Sequence, residues 1–306
     1  MAKLGGKASK QVRMPCAIGF YPGDKDSLLR AIENCYMSPY GPKMHPKVNQ
    51  EGARRIIAGV VPHAGYIYSG PVAASLYYRM AVDGVPRTFV LVGPVHGLGA
   101  GVAIMKRGLW RTPLGDVEID EEFSDTLLKH GAIIADDASV HEDEHSLEVQ
   151  LPFLQSLYGE RLQIVPIATS LGDLETCAEI GEAIASTVVE MNRDVAVIAS
   201  TDLTHYGIHY GYAPVGMTPI EKVVSWVKDT DAEVIEAIKN LDEKKLLRLV
   251  SEKHLTMCGY APVAVAITAA KQLGVSKAEL VKYATSYDTQ GSRDAIVGYC
   301  SMLLQR

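Results

Sequence analysis

Short apolar runs alternate along the chain with longer segments whose apolar residues recur at helical spacing. The runs predict strands that are buried on both faces of a sheet. They cover residues 56–61, 88–92, 162–167 and 195–199. Segments 72–81, 121–130 and 174–191, which lie between the runs, predict amphipathic helices. Strands that alternate with helices in this way predict a single three-layer α/β/α domain around a mostly parallel or mixed sheet.

The remaining pattern completes the edges of this domain. Two strand-like segments, 102–106 and 109–119, predict a hairpin, and the run at 145–154 predicts a helix that Pro152 kinks or restarts. The other expected elements are a short helix at 27–34, a helical stretch at 218–253 that breaks near Leu241, a helix at 259–273, and closing strands at 280–286 and 295–304.

Composition places the chain among ordinary globular proteins. Of its 306 residues, 47% are hydrophobic and 22% are charged, a balance that supports a large core. The Lys-rich start predicts a flexible N-terminal arm at 1–15, ahead of a single domain at 16–306. The net charge of −6 gives no basic surface for nucleic acid. No signal peptide and no apolar stretch of about 18 residues is evident, so no membrane partner is expected and the protein is predicted to be cytoplasmic.

Three histidines follow the ends of predicted strands. His63, His96 and His205 each lie in a short loop after one of the four buried runs. The carboxyl ends of parallel strands meet at one edge of a sheet, so these side chains are expected to share one site, with His145 as a fourth member. Short loops on rigid strands give a metal site fixed geometry, and His63 and His96 are therefore the predicted metal ligands. Each histidine taken singly has a plainer interpretation, a loop side chain held by backbone groups.

Cys258 is the cysteine best placed to be a third ligand. It lies at the start of the predicted helix 259–273, where backbone N–H groups and the helix dipole stabilise a thiolate. The residues alone leave a second interpretation equally open, that of a small buried hydrophobic side chain. The other four cysteines are assigned to that second class, since they are widely spaced and form no Cys-x-x-Cys pair. They are Cys16, Cys35, Cys177 and Cys300.

Five segments carry these residues in an order that resembles one family. They are PHAGY at 62–66, GPVH at 93–96, EHSLE at 144–148, DLTHYG at 202–207 and MCG at 257–259. They are similar to the successive motifs of the Memo family, whose fold is similar to that of the class III extradiol dioxygenases of the protocatechuate 4,5-dioxygenase type. The resemblance makes His63 and His96 the two histidine ligands and places Cys258 where the dioxygenases have a glutamate. His145 and His205 match histidines that do acid-base work there.

The resemblance implies a metal-dependent oxidoreductase that opens the ring of a catechol-like or other small aromatic substrate with O2. Fe(II) is the expected metal, and Cu and Zn are the alternatives because a thiolate is softer than a carboxylate. Asp202 is expected either to orient a histidine or to bind the metal, while an N-cap role for the helix or loop that begins there is equally open.

Two other functions compete with the oxidoreductase. A non-catalytic adaptor that binds a metal, a protein or a phosphopeptide in the cleft is compatible with the family resemblance. A metal-assisted hydrolase would use the same ligands to activate water. The sequence leaves self-association into a homo-oligomer open.

Overall fold

The computed structural model describes residues 10–97, 99 and 101–306. The strands in this part of the chain are β1 (Val12–Arg13), β2 (Ile56–Val61), β3 (Thr88–Pro94), β4 (Val102–Ile104), β5 (Leu109–Thr112), β6 (Gly115–Ile119), β7 (Ile134–Asp136), β8 (Gln163–Thr169), β9 (Val195–Ser200), β10 (His205–Gly207), β11 (Lys277–Thr285) and β12 (Ala295–Gln305). The α-helices are α1 (Lys25–Met37), α2 (Gly70–Asp83), α3 (Glu121–His130), α4 (Leu151–Tyr158), α5 (Leu174–Met191), α6 (Ile220–Lys239), α7 (Glu243–Glu252), α8 (Tyr260–Gln272) and α9 (Ser286–Gln290). Within the described ranges, no helix has both the length and the apolar character needed to cross a bilayer.

Five neighbouring parallel strands form the centre of the sheet, in the order β6, β8, β3, β9, β2. Next to β2 lies β12, which is antiparallel to it and pairs in turn with β10 and β11. At the other edge, β5 and then β1 extend the sheet beyond β6. The sheet is therefore mixed, with a parallel centre, as the sequence predicted.

Side chains of the central strands alternate between two hydrophobic cores, one on each face of the sheet. In β3, Val90 and Val92 belong to the core that α5 and α8 cover, whereas Phe89 and Leu91 belong to the core that α2 and α4 cover. Helices thus pack on both faces, which confirms the three-layer α/β/α architecture.

The predicted N-terminal arm is wrong for its last residues. Val12 and Arg13 form β1 and pair in parallel with β5, and the Arg13 side chain is buried against Glu148. The buried ion pair with Glu148 fixes this part of the chain against the domain. Composition does not reveal a partner so distant in the sequence. The rest of the expected arm, residues 1–9, lies outside the described residues.

Two other predicted elements differ in detail. The expected hairpin between 102–106 and 109–119 is wrong, because β4 pairs with β7 and β8 and the hairpin forms within 109–119, between β5 and β6. The run at 145–154 is not one helix, because a short 3-10 turn at Glu148–Gln150 precedes α4. Pro152 lies in the first turn of α4, where a missing N–H costs nothing, so it restarts the helix.

Candidate metal centre and its cavity

The carboxyl ends of three adjacent strands deliver the predicted site. His63 lies two residues after β2, His96 two residues after β3, and Asp202 two residues after β9. His205 opens β10, and Cys258 lies two residues before α8. Since β3, β9 and β2 are neighbours in the sheet, their exits converge on one edge, where open α/β sheets bind ligands.

His63, His96 and Cys258 meet closely enough to hold one ion. One ligand atom from each of the three lies within 4.8 Å of the others. The Cys258 Sγ atom is 3.2 Å from His63 Nε2, and the two imidazole ring centroids are 5.1 Å apart. Two imidazole nitrogens and one sulfur form a donor set that suits Zn and Cu, and imidazole also suits Fe.

A serine fixes the tautomer of His63. The Ser200 hydroxyl donates to the carbonyl of Ser146 at 2.7 Å and accepts from Gln150 Nε2 at 2.9 Å. Its remaining lone pair can only accept, so His63 Nδ1, at 3.0 Å, carries the hydrogen. Burial lowers the pKa of His63 well below its usual value, which keeps the ring neutral. The Nε2 lone pair therefore faces Cys258, as metal binding requires.

A carboxylate fixes His96 in the same way. Glu144 accepts from His96 Nδ1 at 3.0 Å and from the His96 backbone N–H at 2.6 Å, and its Oε1 also accepts from the Ser146 N–H at 2.7 Å. Burial opposes ionisation, but the hydrogen bonds from His96 outweigh it and hold the pKa of Glu144 at about 2. Although His96, Glu144 and His145 could also surround an ion, the Glu144 oxygens are already engaged. We therefore assign Glu144 to orienting His96, whose Nε2 is left for a metal.

Cys258 differs from the sequence-based expectation. Burial, together with the nearby Asp202 charge, raises the pKa of the Cys258 thiol. The prediction that the start of α8 stabilises a free thiolate is therefore wrong, and a bound cation is needed to displace the proton. The backbone N–H of Asp202 donates to the sulfur at 3.3 Å, which fixes the position of Sγ.

Asp202 holds the backbone of a predicted ligand. Its Oδ1 atom accepts from the His63 N–H at 2.9 Å, and the side chain is buried. Because strand β10 follows rather than a helix, the alternative that Asp202 caps a helix is wrong. Burial raises the pKa of Asp202, although the nearby His205 opposes this.

His205 and His145 differ in how their rings are held at the cavity and in what they can do with a proton. His205 Nδ1 lies 2.9 Å from the Thr256 carbonyl and 3.1 Å from the Leu203 carbonyl, so it carries the hydrogen and Nε2 can accept a proton. His145 stacks between Phe20 and His96, with ring centroids at 4.2 and 4.6 Å. Burial lowers the pKa of His145 to about 4, so near neutral pH it carries no proton to donate as an acid.

These side chains line a cavity of about 440 Å³. Its wall combines the four histidines and Asp202 with aromatic and small residues. The lining residues are Phe20, His63, Ala64, Gly65, Tyr68, His96, His145, Asp202, His205, Tyr210, Ser286, Ser292, Ala295, Val297 and Tyr299. The volume is ample for a single aromatic ring with substituents, and ligand pockets of this size are common.

Three supporting residues escaped the sequence analysis. They are Ser200, directly after the buried run 195–199, Gln150, inside the run 145–154, and Thr256, directly before the segment MCG. Ser200 contacts His63 across 137 positions and Thr256 contacts His205 across 51. Gln150 acts on His63 through Ser200, which is 50 positions away from it. Polar residues inside otherwise apolar segments were the only available signal.

Comparison with known proteins identifies the family. A model of the Memo-like protein family matches residues 13–303. A MEMO1 family protein of Methanopyrus kandleri is 43% identical over 296 residues, which cover 96% of this chain and 99% of that protein. Another, from Methanocaldococcus jannaschii, is 42% identical over 303 residues, with 96% and 99% coverage. An uncharacterized protein of Escherichia coli K12 shares the fold, with a TM-score of 0.54 and 14% identity over 81% of this chain and 99% of its own. The predicted family is thus confirmed, and the chain belongs to the Memo-like proteins.

Proposed function

We propose that the protein is a metal-dependent oxidoreductase of the extradiol-dioxygenase type, which opens the ring of a catechol-like substrate with O2. The observation that carries this proposal is the pair His63 and His96, each held through Nδ1 by a hydrogen-bonding partner and through its backbone by a carboxylate. Such support is typical of histidines that bind a metal. The Memo fold is also similar to that of the class III extradiol dioxygenases.

His63, His96 and Cys258 would hold the metal. Bound Fe(II) would supply the Lewis acidity and the redox capacity that ring opening with O2 requires. Cys258 contributes a sulfur in place of the carboxylate oxygen of the dioxygenases. Sulfur is the softer ligand, so Cu and Zn remain alternatives within this proposal.

His205 is the residue that we assign to proton transfer. With Nδ1–H held by two carbonyls, its Nε2 is the atom that can accept a proton from a substrate hydroxyl. His145, neutral and stacked between Phe20 and His96, would help by accepting a hydrogen bond from the substrate.

Aromatic side chains would position the substrate ring. Phe20, Tyr68, Tyr210 and Tyr299 line the cavity, and Tyr210 packs edge-on against His205 with ring centroids 5.0 Å apart. Edge-to-face and offset contacts favour a flat aromatic ligand between such groups. They would also exclude water from the reacting atoms.

A non-catalytic adaptor is the second candidate, and Cys258 is the observation that favours it. A thiol that replaces a carboxylate directs the site towards softer metals, which bind tightly without O2 chemistry. A metal in that role would stabilise a surface for a protein ligand. His145 would offer a phosphopeptide no positive charge near pH 7, because burial lowers the pKa of His145 to about 4.

The test is anaerobic reconstitution with Fe(II), followed by a panel of catechols and then O2. We expect a yellow ring-opened product from at least one catechol. His205→Ala should lower its rate of formation by roughly 10²–10⁴-fold at unchanged iron content. Stoichiometric metal without product from any catechol would contradict the dioxygenase and leave the adaptor.

A further inference from the structure

Arg13 ties strand β1 to the loop that precedes α4. Its Nε donates to the carbonyl of His141 at 2.9 Å, and its Nη2 donates to the carbonyl of Glu144 at 2.8 Å. Its Nη1 pairs with the carboxylate of Glu148. One buried guanidinium therefore fixes three points along the segment 141–148, a geometry that the planar fork of arginine allows.

Glu148 secures the same connection from the loop. Its carboxylate accepts from the backbone N–H groups of Cys16 at 2.9 Å and Ala17 at 3.0 Å, and from the Tyr21 hydroxyl. The Arg13 guanidinium also lies over the Trp110 ring, 4.5 Å from its centroid. Both charged groups are thus compensated on all sides, so this buried pair is an ordered joint between the N-terminal segment and the loop.

The joint meets the candidate metal centre at Glu144. Arg13 holds the Glu144 carbonyl, and the Glu144 side chain accepts both from His96 Nδ1 and from the His96 backbone N–H. A shift of the Glu144 backbone would therefore move the carboxylate away from the imidazole that it orients. We propose that Arg13 is a positioning residue for His96, acting through Glu144. The proposal rests on the metal site of the proposed function.

Arg13→Lys is the sharpest variant. Lysine keeps a positive charge beside Glu148, but a single ammonium cannot replace the fork that reaches two carbonyls and a carboxylate. Arg193→Lys is the matched control, since the Arg193 side chain is 6% exposed, against 2% for Arg13, and pairs with Asp120 near the starts of β3 and β9. Both variants exchange a buried, ion-paired arginine for lysine, and only one of them touches Glu144.

Two measurements separate positioning from general stability. Zinc affinity, measured by competition with a chelator, should fall about tenfold in Arg13→Lys and stay unchanged in Arg193→Lys, since loss of an outer partner typically costs 10–100-fold. In the metal-free protein, the His96 amide should exchange its hydrogen faster in Arg13→Lys alone. If Arg13→Lys does not fold, the double variant Arg13→Gln with Glu148→Gln removes both buried charges and should show the same losses.

Unchanged His96 exchange together with unchanged zinc affinity in Arg13→Lys would overturn the proposal. Equal losses in both variants would overturn it too, because they would show a general effect on stability. If the wild-type protein binds no zinc, iron or copper, the proposed function fails, and the hydrogen exchange of His96 alone decides the role of Arg13.

Discussion

The two ends of the central parallel strands hold their polar side chains in opposite ways. At the amino-terminal end, charges are closed in pairs: Arg193 Nη1 lies 2.7 Å from Asp120, and Arg54 Nη1 lies 2.9 Å from Asp83. At the carboxyl end, protein oxygens hold His63 and His96 through Nδ1. Their second nitrogens are directed to a sulfur and to the cavity.

This difference separates side chains that stabilise the fold from side chains that can bind a ligand. A charge that is fully paired inside the protein has no capacity left for a ligand, so its contribution is to the folded state. An imidazole that is fixed on one side and open on the other has a defined lone pair at a fixed place. Substitutions at the amino-terminal end should therefore change the free energy of unfolding, and substitutions at the carboxyl end should change metal affinity.

The largest effect on stability should come from a substitution at the amino-terminal end of the central strands. Arg193→Ala leaves the buried Asp120 carboxylate without its cation, and we expect the free energy of unfolding to fall by about 3–5 kcal/mol. Metal affinity should not change. Urea unfolding and metal analysis measure the two quantities. Arg107→Ala, which breaks an exposed pair with Asp125, should cost less than about 1 kcal/mol. An equally small loss in Arg193→Ala would contradict the comparison.

At the open end, Cys258 should matter for metal and little for folding. Cys258→Ser replaces a soft sulfur with a far less acidic hydroxyl, so we expect metal affinity to fall by at least about 100-fold, beyond the usual cost of losing an outer partner. Cys300→Ser is the control, because Cys300 is a buried free cysteine of β12 that belongs neither to the candidate metal ligands nor to the cavity wall. Unchanged metal content in Cys258→Ser would mean that the cysteine is a packing residue and that another group completes the site.

Asp231 gives the comparison a pH dependence. This α6 carboxylate supports the Asp202–His205 loop by accepting from the Thr204 N–H at 3.1 Å, and it also accepts from the Tyr283 hydroxyl at 2.7 Å. Burial raises its pKa to about 6, although both hydrogen bonds and the nearby His205 oppose the rise. In the unfolded chain an aspartate titrates near pH 3.9, so between about pH 4 and 6 the folded state binds more protons. Stability from this group is therefore present below about pH 4 and lost as the pH rises to about 6.

Asp231→Asn should remove that loss. An asparagine can still accept from Thr204 and bond to Tyr283, so the variant should be about 2–3 kcal/mol more stable than the wild type at pH 7, and no more stable near pH 4. Urea unfolding at both pH values measures the difference. Asp229→Asn, on the exposed face of the same helix, controls for the substitution itself. A gain that is the same at pH 4 and pH 7 would show that ionisation of Asp231 is not its cause.

The sequence predicted the central strands and the residues that leave their ends, because burial on both faces leaves a strong local signal. β2, β3 and β9 appear close to the predicted bounds, and His63, His96 and Asp202 each follow one of them by two residues. The break between α6 and α7 also falls at Leu241, as predicted. Features that depend on a local pattern could thus be predicted from the sequence.

Contacts between distant residues could not be predicted in this way. Glu144 could be noted only as part of the segment EHSLE, yet it lies closer to the His96 ring, 48 positions away, than to the ring of its neighbour His145. Arg13 was assigned to an arm because its partner Glu148 is 135 positions away. The acidity of Cys258 was misjudged for the same reason, since helix position is local whereas burial depends on the whole fold.

The smallest of these effects should be that of Glu144→Gln, which tests whether His96 needs a carboxylate. The glutamine oxygen can still accept from His96 Nδ1, but its NH2 group would face the His96 backbone N–H, a donor against a donor. We expect His96 to lose part of its orientation and metal affinity to fall about tenfold, with the fold retained. Glu142→Gln, in the same loop and exposed, should leave the affinity unchanged. If competition with a chelator gives equal metal affinities for the two variants, Glu144 does not orient His96, and the open end depends on Ser200 and His63 alone.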